Sequence, residues 1–191
     1  MSHAVRLLAG LAVIGACTAE PGPTENSTAS LTRDVPPVTS PAQLRDLAAL
    51  RAAVAPYHRL DAASQPGLWD TQFPAGCFTS ADGVGAMGYH FIRNANVGTL
   101  EVTRPQLLMF EPEKNGQRHL VGVEYIVPGA DTDPAPVLFE QAFHYNHTFN
   151  VWVLHVWAFT ENPRGIYQDW NPRVSCQYAA GDVVQAAVAH H

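Results

Sequence analysis

The sequence predicts an α+β domain: an N-terminal helical segment packed on a curved antiparallel sheet of five or six strands, with a barrel-like form as its extreme. Three observations lead there. One segment carries a helix-start signal followed by helical spacing. Five later segments are short and rich in branched and aromatic residues. Nothing between those five reads as a crossover helix, so antiparallel connections follow.

The helix begins at Ser40. "SPAQ" offers Ser40 as N-cap, Pro41 at the first helical position and Gln43 at the third, a capping-box pattern. Leu44, Leu47, Leu50 and Val54 then recur at helical spacing among alanines. Pro56 kinks or restarts the helix, and a second helical turn, "YHRLDAASQ", runs towards the Pro-Gly at 66–67. Strands are expected at 86–93, 105–112, 118–128, 136–145 and 150–159, separated by turn signals such as "EKNGQ" and "PGADTDPAP". The stretch from Asn162 to Cys176 is punctuated by proline and reads as coil; the tail 179–191 reads as a short helix or frayed chain.

The N-terminal segment and the cysteines suggest export. "MSHAVRLLAGLAVIGAC" has one arginine, a short apolar run and small residues, the make-up of a secretory signal over 1–17. Its "IGAC" resembles the lipobox of bacterial lipoproteins, in which the cysteine, here Cys17, receives the lipid. An ordinary signal peptide cut nearby is the alternative. Residues 18–39 are rich in Pro, Thr and Ser and cannot bury a core, so they read as a flexible linker to one globular domain over 40–178. The expected partner is the membrane, through a lipid anchor on Cys17. If Cys17 carries lipid, Cys77 and Cys176 remain, and an oxidising compartment favours pairing them. That bridge would close a loop worth about 4–5 kcal/mol in the chain-entropy model; two buried thiols are the alternative.

Composition excludes some classes. Hydrophobic residues make up 47% and charged residues 15%, which supports a packed core and argues against disorder. The formal net charge is −6 and no basic run is present, so the electrostatic footprint of a nucleic-acid binder is missing. No Gly-x-Ser-x-Gly occurs for a serine nucleophile.

The histidines carry what chemistry there is. In 150–159, Val151, Val153, His155, Trp157 and Phe159 share one face of a strand, and both faces are apolar, so His155 reads as buried. Glu124 is the one charge in the row Leu120, Gly122, Glu124, Ile126; His90 shares a face with Gly88 and Ile92, and His144 with Leu138, Glu140 and Ala142. Buried imidazoles and carboxylates are costly unless paired or bound to something. The economical arrangement is that they converge, with Glu124 as the catalytic carboxylate and His90, His144 and His155 as ligands for zinc, copper or iron. His58, on the helical segment, is an additional candidate. No HxH, HExxH or CxxC spacing supports a metal motif, and a buried His–Glu pair also satisfies a core without metal. Gly83, Gly85 and Gly88 read as a close backbone approach rather than a phosphate loop, and Asp169, Trp170 and Asn171 as an Asn-Pro turn or the rim of a cleft.

The segments "PYHRLDAA", "GAMGYHF", "LVGVEYIVP", "LFEQAFH" and "LHVWAFTENPRGIYQDWNPRVSC" together resemble a group of exported bacterial proteins and lipoproteins with no established activity. The resemblance spans roughly 45–176. It implies export and one compact domain, and it implies no reaction. Three functions stay open: a metal-dependent enzyme, hydrolytic or oxidative; an exported module binding a small organic ligand in a Trp-lined pocket without metal; and a structural lipoprotein whose histidines only satisfy the core.

Overall fold

The structure is a computed structural model, described over residues 40–181 and 183–186. The signal-like segment, the linker and Cys17 lie outside the described residues.

Helix α1 spans Pro41–Val54, and the capping box forms as the sequence predicts. Ser40 Oγ accepts from the Gln43 amide at 3.0 Å, and Gln43 Oε1 accepts from the Ser40 amide at 3.3 Å. Pro41 has no N–H, so two of the three unpaired N-terminal amides are thereby satisfied. Leu47, Leu50 and Val54 are buried, whereas Leu44 is turned outward at 55% exposure. Pro56, with no N–H to give, falls in a short 3-10 helix, Ala55–Tyr57, that closes α1. The next helical turn, α2, is only Leu60–Ala63, shorter than the sequence suggests.

Nine strands follow among the described residues. They are β1 Thr71–Ser80, β2 Ala86–Ile92, β3 Leu107–Pro112, β4 Arg118–Pro128, β5 Val137–Leu138, β6 Gln141–Ala142, β7 His144–Asn146, β8 Val151–Val156 and β9 Val183–Ala186. Seven of them form one sheet in the order β7-β8-β4-β3-β2-β1-β9, while β5 and β6 form a separate hairpin. The α+β class holds, but the sheet has seven strands, not five or six. It is curled into a half-barrel that does not close, since no ladder among the described residues joins β7 to β1 or β9. The curl nonetheless brings Phe73 at the start of β1 to Phe149 in the β7–β8 turn, with ring centroids 6.0 Å apart.

Three differences account for the strand count. β1 holds Pro74 and Gly76, which read as turn residues; its register with β2 jumps between Gln72 and Cys77, so the proline sits where no ladder amide is needed. The segment 136–145 is not one strand. Phe139 and Glu140 take left-handed φ angles of 54° and 56°, folding β5 onto β6 as in a type I′ turn, and the turn buries Phe139 in the core. Part of the tail, expected as helix or frayed chain, pairs with β1 in parallel as β9.

The two faces of the sheet differ. Phe91, Leu108, Val123, Tyr125, Leu154 and Val156 lie on one face and join the core with Leu47, Leu50 and Val54 of α1. Arg51 Nε donates to the Ala158 carbonyl at 2.8 Å and Gln43 Nε2 to the Phe139 carbonyl at 3.0 Å, tying the helix down. The alternate residues, including His90, Leu107, Glu124, Val153 and His155, occupy the other face.

A coil from Trp157 to Cys176 returns along the sheet. Trp157 Nε1 donates to the Gln168 carbonyl, Asn162 Nδ2 to the Trp170 carbonyl, and Asn171 exchanges both backbone bonds with Ala86 at 3.2 Å. A Cβ on Gly85 would lie 2.3 Å from the Asn171 oxygen, so only glycine admits this strand-to-coil approach. Cys176 is bonded to Cys77 of β1, with a Cα separation of 5.9 Å.

Candidate metal centre

Strand pairing places the central groups. Glu124 of β4 and His155 of β8 are direct cross-strand partners, so their side chains leave the same face side by side. His90 of β2 pairs with Met109 of β3 and reaches Glu124 across that strand. His90 Nε2 lies 3.4 Å from Glu124 Oε2, and His155 Nε2 lies 3.9 Å from Glu124 Oε1. One ligand atom from each of the three residues falls within 4.8 Å of the others, and all three residues are buried against the solvent. Ligands each about 2.1 Å from one tetrahedral ion stand about 3.4 Å apart, so small side-chain rotations would bring the set to coordinating distance.

His144 joins a second set instead. It lies on β7, opposite Val153 and so next to His155 on the same face. Its Nε2 is 3.4 Å from Asp169 Oδ1, and the same oxygen is 3.0 Å from His155 Nδ1. His144, His155 and Asp169 again offer ligand atoms within 4.8 Å. The sequence places Asp169 in an Asn-Pro turn or at the rim of a cleft but not beside the histidines: an acid between Gln168 and Trp170 in coil carries no periodicity, and its partners lie on strands before it in the chain. His58 belongs to neither set. It is exposed, its ring sits 5.9 Å from Phe159, and its carbonyl accepts the Leu120 amide. His147 is likewise exposed, 3.8 Å from Asp131.

Electrostatics separate the roles. Burial, together with the neighbouring His155, pushes the His90 imidazole down to about 3, so it stays neutral with lone pairs to give. Burial raises Glu124, and the nearby Asp169 adds to the effect while His155 opposes it. Burial disfavours the charged form of His155, but Glu124 and the Asp169 contact together overcome this and raise it. The bond to the Asp169 carboxylate, which only accepts, puts the His155 proton on Nδ1. Nε2 of His155 is buried with no hydrogen-bond partner. A lone pair on His155 Nε2 facing a carboxylate repels it. One positive charge between them, a proton or a metal ion, relieves the repulsion. No arginine or lysine among the described residues pairs with Glu124 to do so.

Two imidazoles and a carboxylate from three strands are a donor set that could hold a transition metal. Phe78 closes one flank, its ring edge-on to His90 at 5.6 Å. A cavity of about 370 Å³ lies elsewhere, beside Arg59, Asp61, Gln117 and Arg118. The four tryptophans, Trp69, Trp152, Trp157 and Trp170, are buried and none lines that cavity.

No family model, no curated protein and no solved structure matches this chain, so geometry and chemistry carry the functional argument.

Proposed function

We propose that this is an exported metal-binding protein whose centre, His90, Glu124 and His155, holds one divalent transition-metal ion, zinc or iron by its donor set. The observation that carries the reading is the buried Glu124 carboxylate flanked by two imidazoles, one with an unpartnered Nε2, and no arginine or lysine counter-ion among the described residues. His90, kept neutral by burial, donates a lone pair. Asp169 fixes the His155 ring and its tautomer, so that Nε2 points at the ion, the arrangement by which outer carboxylates tune metal-bound histidines. Glu124 supplies the negative charge. A metal ion held there would bring Lewis-acid or redox character to the site, the chemistry that hydrolytic and oxidative metal centres draw on. Export is supported by the Cys77–Cys176 bond, which persists in oxidising compartments, and by the signal-like segment ending at Cys17, which would tether the domain to the cell envelope.

The test is metal analysis of the untagged chain alongside Glu124→Gln. We expect about one tightly held equivalent in the parent and at least about a hundredfold weaker binding in the variant. Less than about a tenth of an equivalent, with no uptake on titration, would overturn the reading.

A further inference from the structure

We infer that the centre is binuclear: a second divalent ion is held by His144, Asp169 and His155, it displaces the Nδ1 proton of His155 to solvent, and the resulting imidazolate ring bridges it to the first ion. This rests on the reading of the inner position given above.

His155 is the hinge of the argument. Its Nε2 faces Glu124 Oε1 at 3.9 Å, while its Nδ1 lies 3.0 Å from Asp169 Oδ1. The two nitrogens of one buried ring therefore open on two different donor sets, and each set brings its ligand atoms within 4.8 Å. The outer set is not a lone acidic patch. It combines two imidazoles, 6.3 Å apart and nearly parallel at 20°, with one carboxylate. Its members come from a strand pair and from the coil that Asn171 and Cys176 anchor.

Exposure divides the labour. His90 and Glu124 side chains are 3% and 12% exposed, those of His144 and Asp169 25% and 18%. The inner ion is enclosed and the outer one meets solvent, so the outer ion is the one that takes water or a small oxyanion. The two ions would stand about 6 Å apart, each about 2.1 Å outside its own ring nitrogen. Ions that share the attacking and leaving oxygens of a displacement sit about 3.5–4 Å apart. The bridge is too long for that. The outer ion works as a single Lewis acid or redox centre, and the inner one holds the bridging ring and its charge.

The experiment is titration of the metal-stripped, untagged full chain with zinc by calorimetry. A parallel copper(II) titration is read by electron paramagnetic resonance, in which two copper ions joined by a deprotonated imidazole couple and lose signal. The parent should take two equivalents, and the copper signal should fall as the second binds. His144→Ala, or His144→Gln where alanine unsettles the fold, should take one equivalent, keep inner affinity within about threefold and retain the copper signal. One equivalent in the parent, unchanged in the His144 variants, overturns the bridge and leaves the inner site intact. Two equivalents that survive loss of His144 also overturn it. No uptake by the parent ends both readings.

Discussion

Two of the histidine–carboxylate clusters on this sheet are neutralised differently. At the turn end of β3 and β4, His119 lies 3.5 Å from Glu111 and 3.1 Å from Glu113, and Arg59 pairs with Glu113 at 3.1 Å. These side chains are 18–35% exposed. Arg59 holds the Glu113 carboxyl below the usual carboxylate range. The His90–Glu124–His155 cluster draws on histidine and glutamate at greater depth, and burial pushes its carboxyl up, as it does Glu111 of the first cluster. Solvent and a permanent guanidinium make the first cluster a surface ion pair, worth about 0–1 kcal/mol. The second has neither, and in low dielectric an uncompensated carboxylate is costly. The difference teaches that the same residue types behave differently at depth, where the carboxylate has two imidazoles and, among the described residues, no guanidinium or ammonium to balance it.

The comparison can be tested where it is most sensitive. Cys77→Ser with Cys176→Ser frees the coil that carries Asp169 and opens a loop with a sequence separation of 99 residues. Chemical denaturation should show a loss of about 4–5 kcal/mol, while the Arg59–Glu113 pair stays in place. A loss below about 1 kcal/mol would mean that packing, not the bond, holds the coil.

Acid should separate the clusters next. In metal-stripped protein, His90 is held at about 3, below its ordinary 6.5. Between those values the unfolded chain takes up a proton that the folded chain refuses. His90 therefore contributes stability that is full above pH 6.5 and falls as pH drops towards 3, by a few kcal/mol at most. Glu124, raised by burial, contributes in the opposite sense, full below its ordinary 4.5 and lost as pH rises through its folded value. His90→Leu should flatten the acid limb of stability against pH; an unchanged limb would show that His90 is not neutral and buried.

Asp169→Asn keeps the shape but loses the charge on His155 Nδ1. With one equivalent of zinc loaded, affinity should fall about 10–100-fold; an unchanged affinity would remove Asp169 from the centre. The smallest effect belongs to the other cluster. Glu113→Gln should cost less than about 1 kcal/mol and leave metal content untouched, and a change in bound metal there would erase the distinction between the two clusters.

Local chemistry made much of this legible in the chain. Alternation along β2, β4 and β8 placed His90, Glu124 and His155 on inward rows, because successive Cβ atoms leave opposite faces of any strand. Ser40, Pro41 and Gln43 announced the start of α1 through their own side-chain chemistry. Partnership was decided by tertiary structure. β1 hides behind Pro74 and Gly76 until its bulge is seen against β2, and β9 exists only because β1 offers it an edge. Asp169 becomes a partner of His155 only because Asn171, Gly85 and the Cys77–Cys176 bond route the coil over that face. A residue's facing is set by its neighbours in the chain, whereas its partners are set by long-range packing, which no local period encodes.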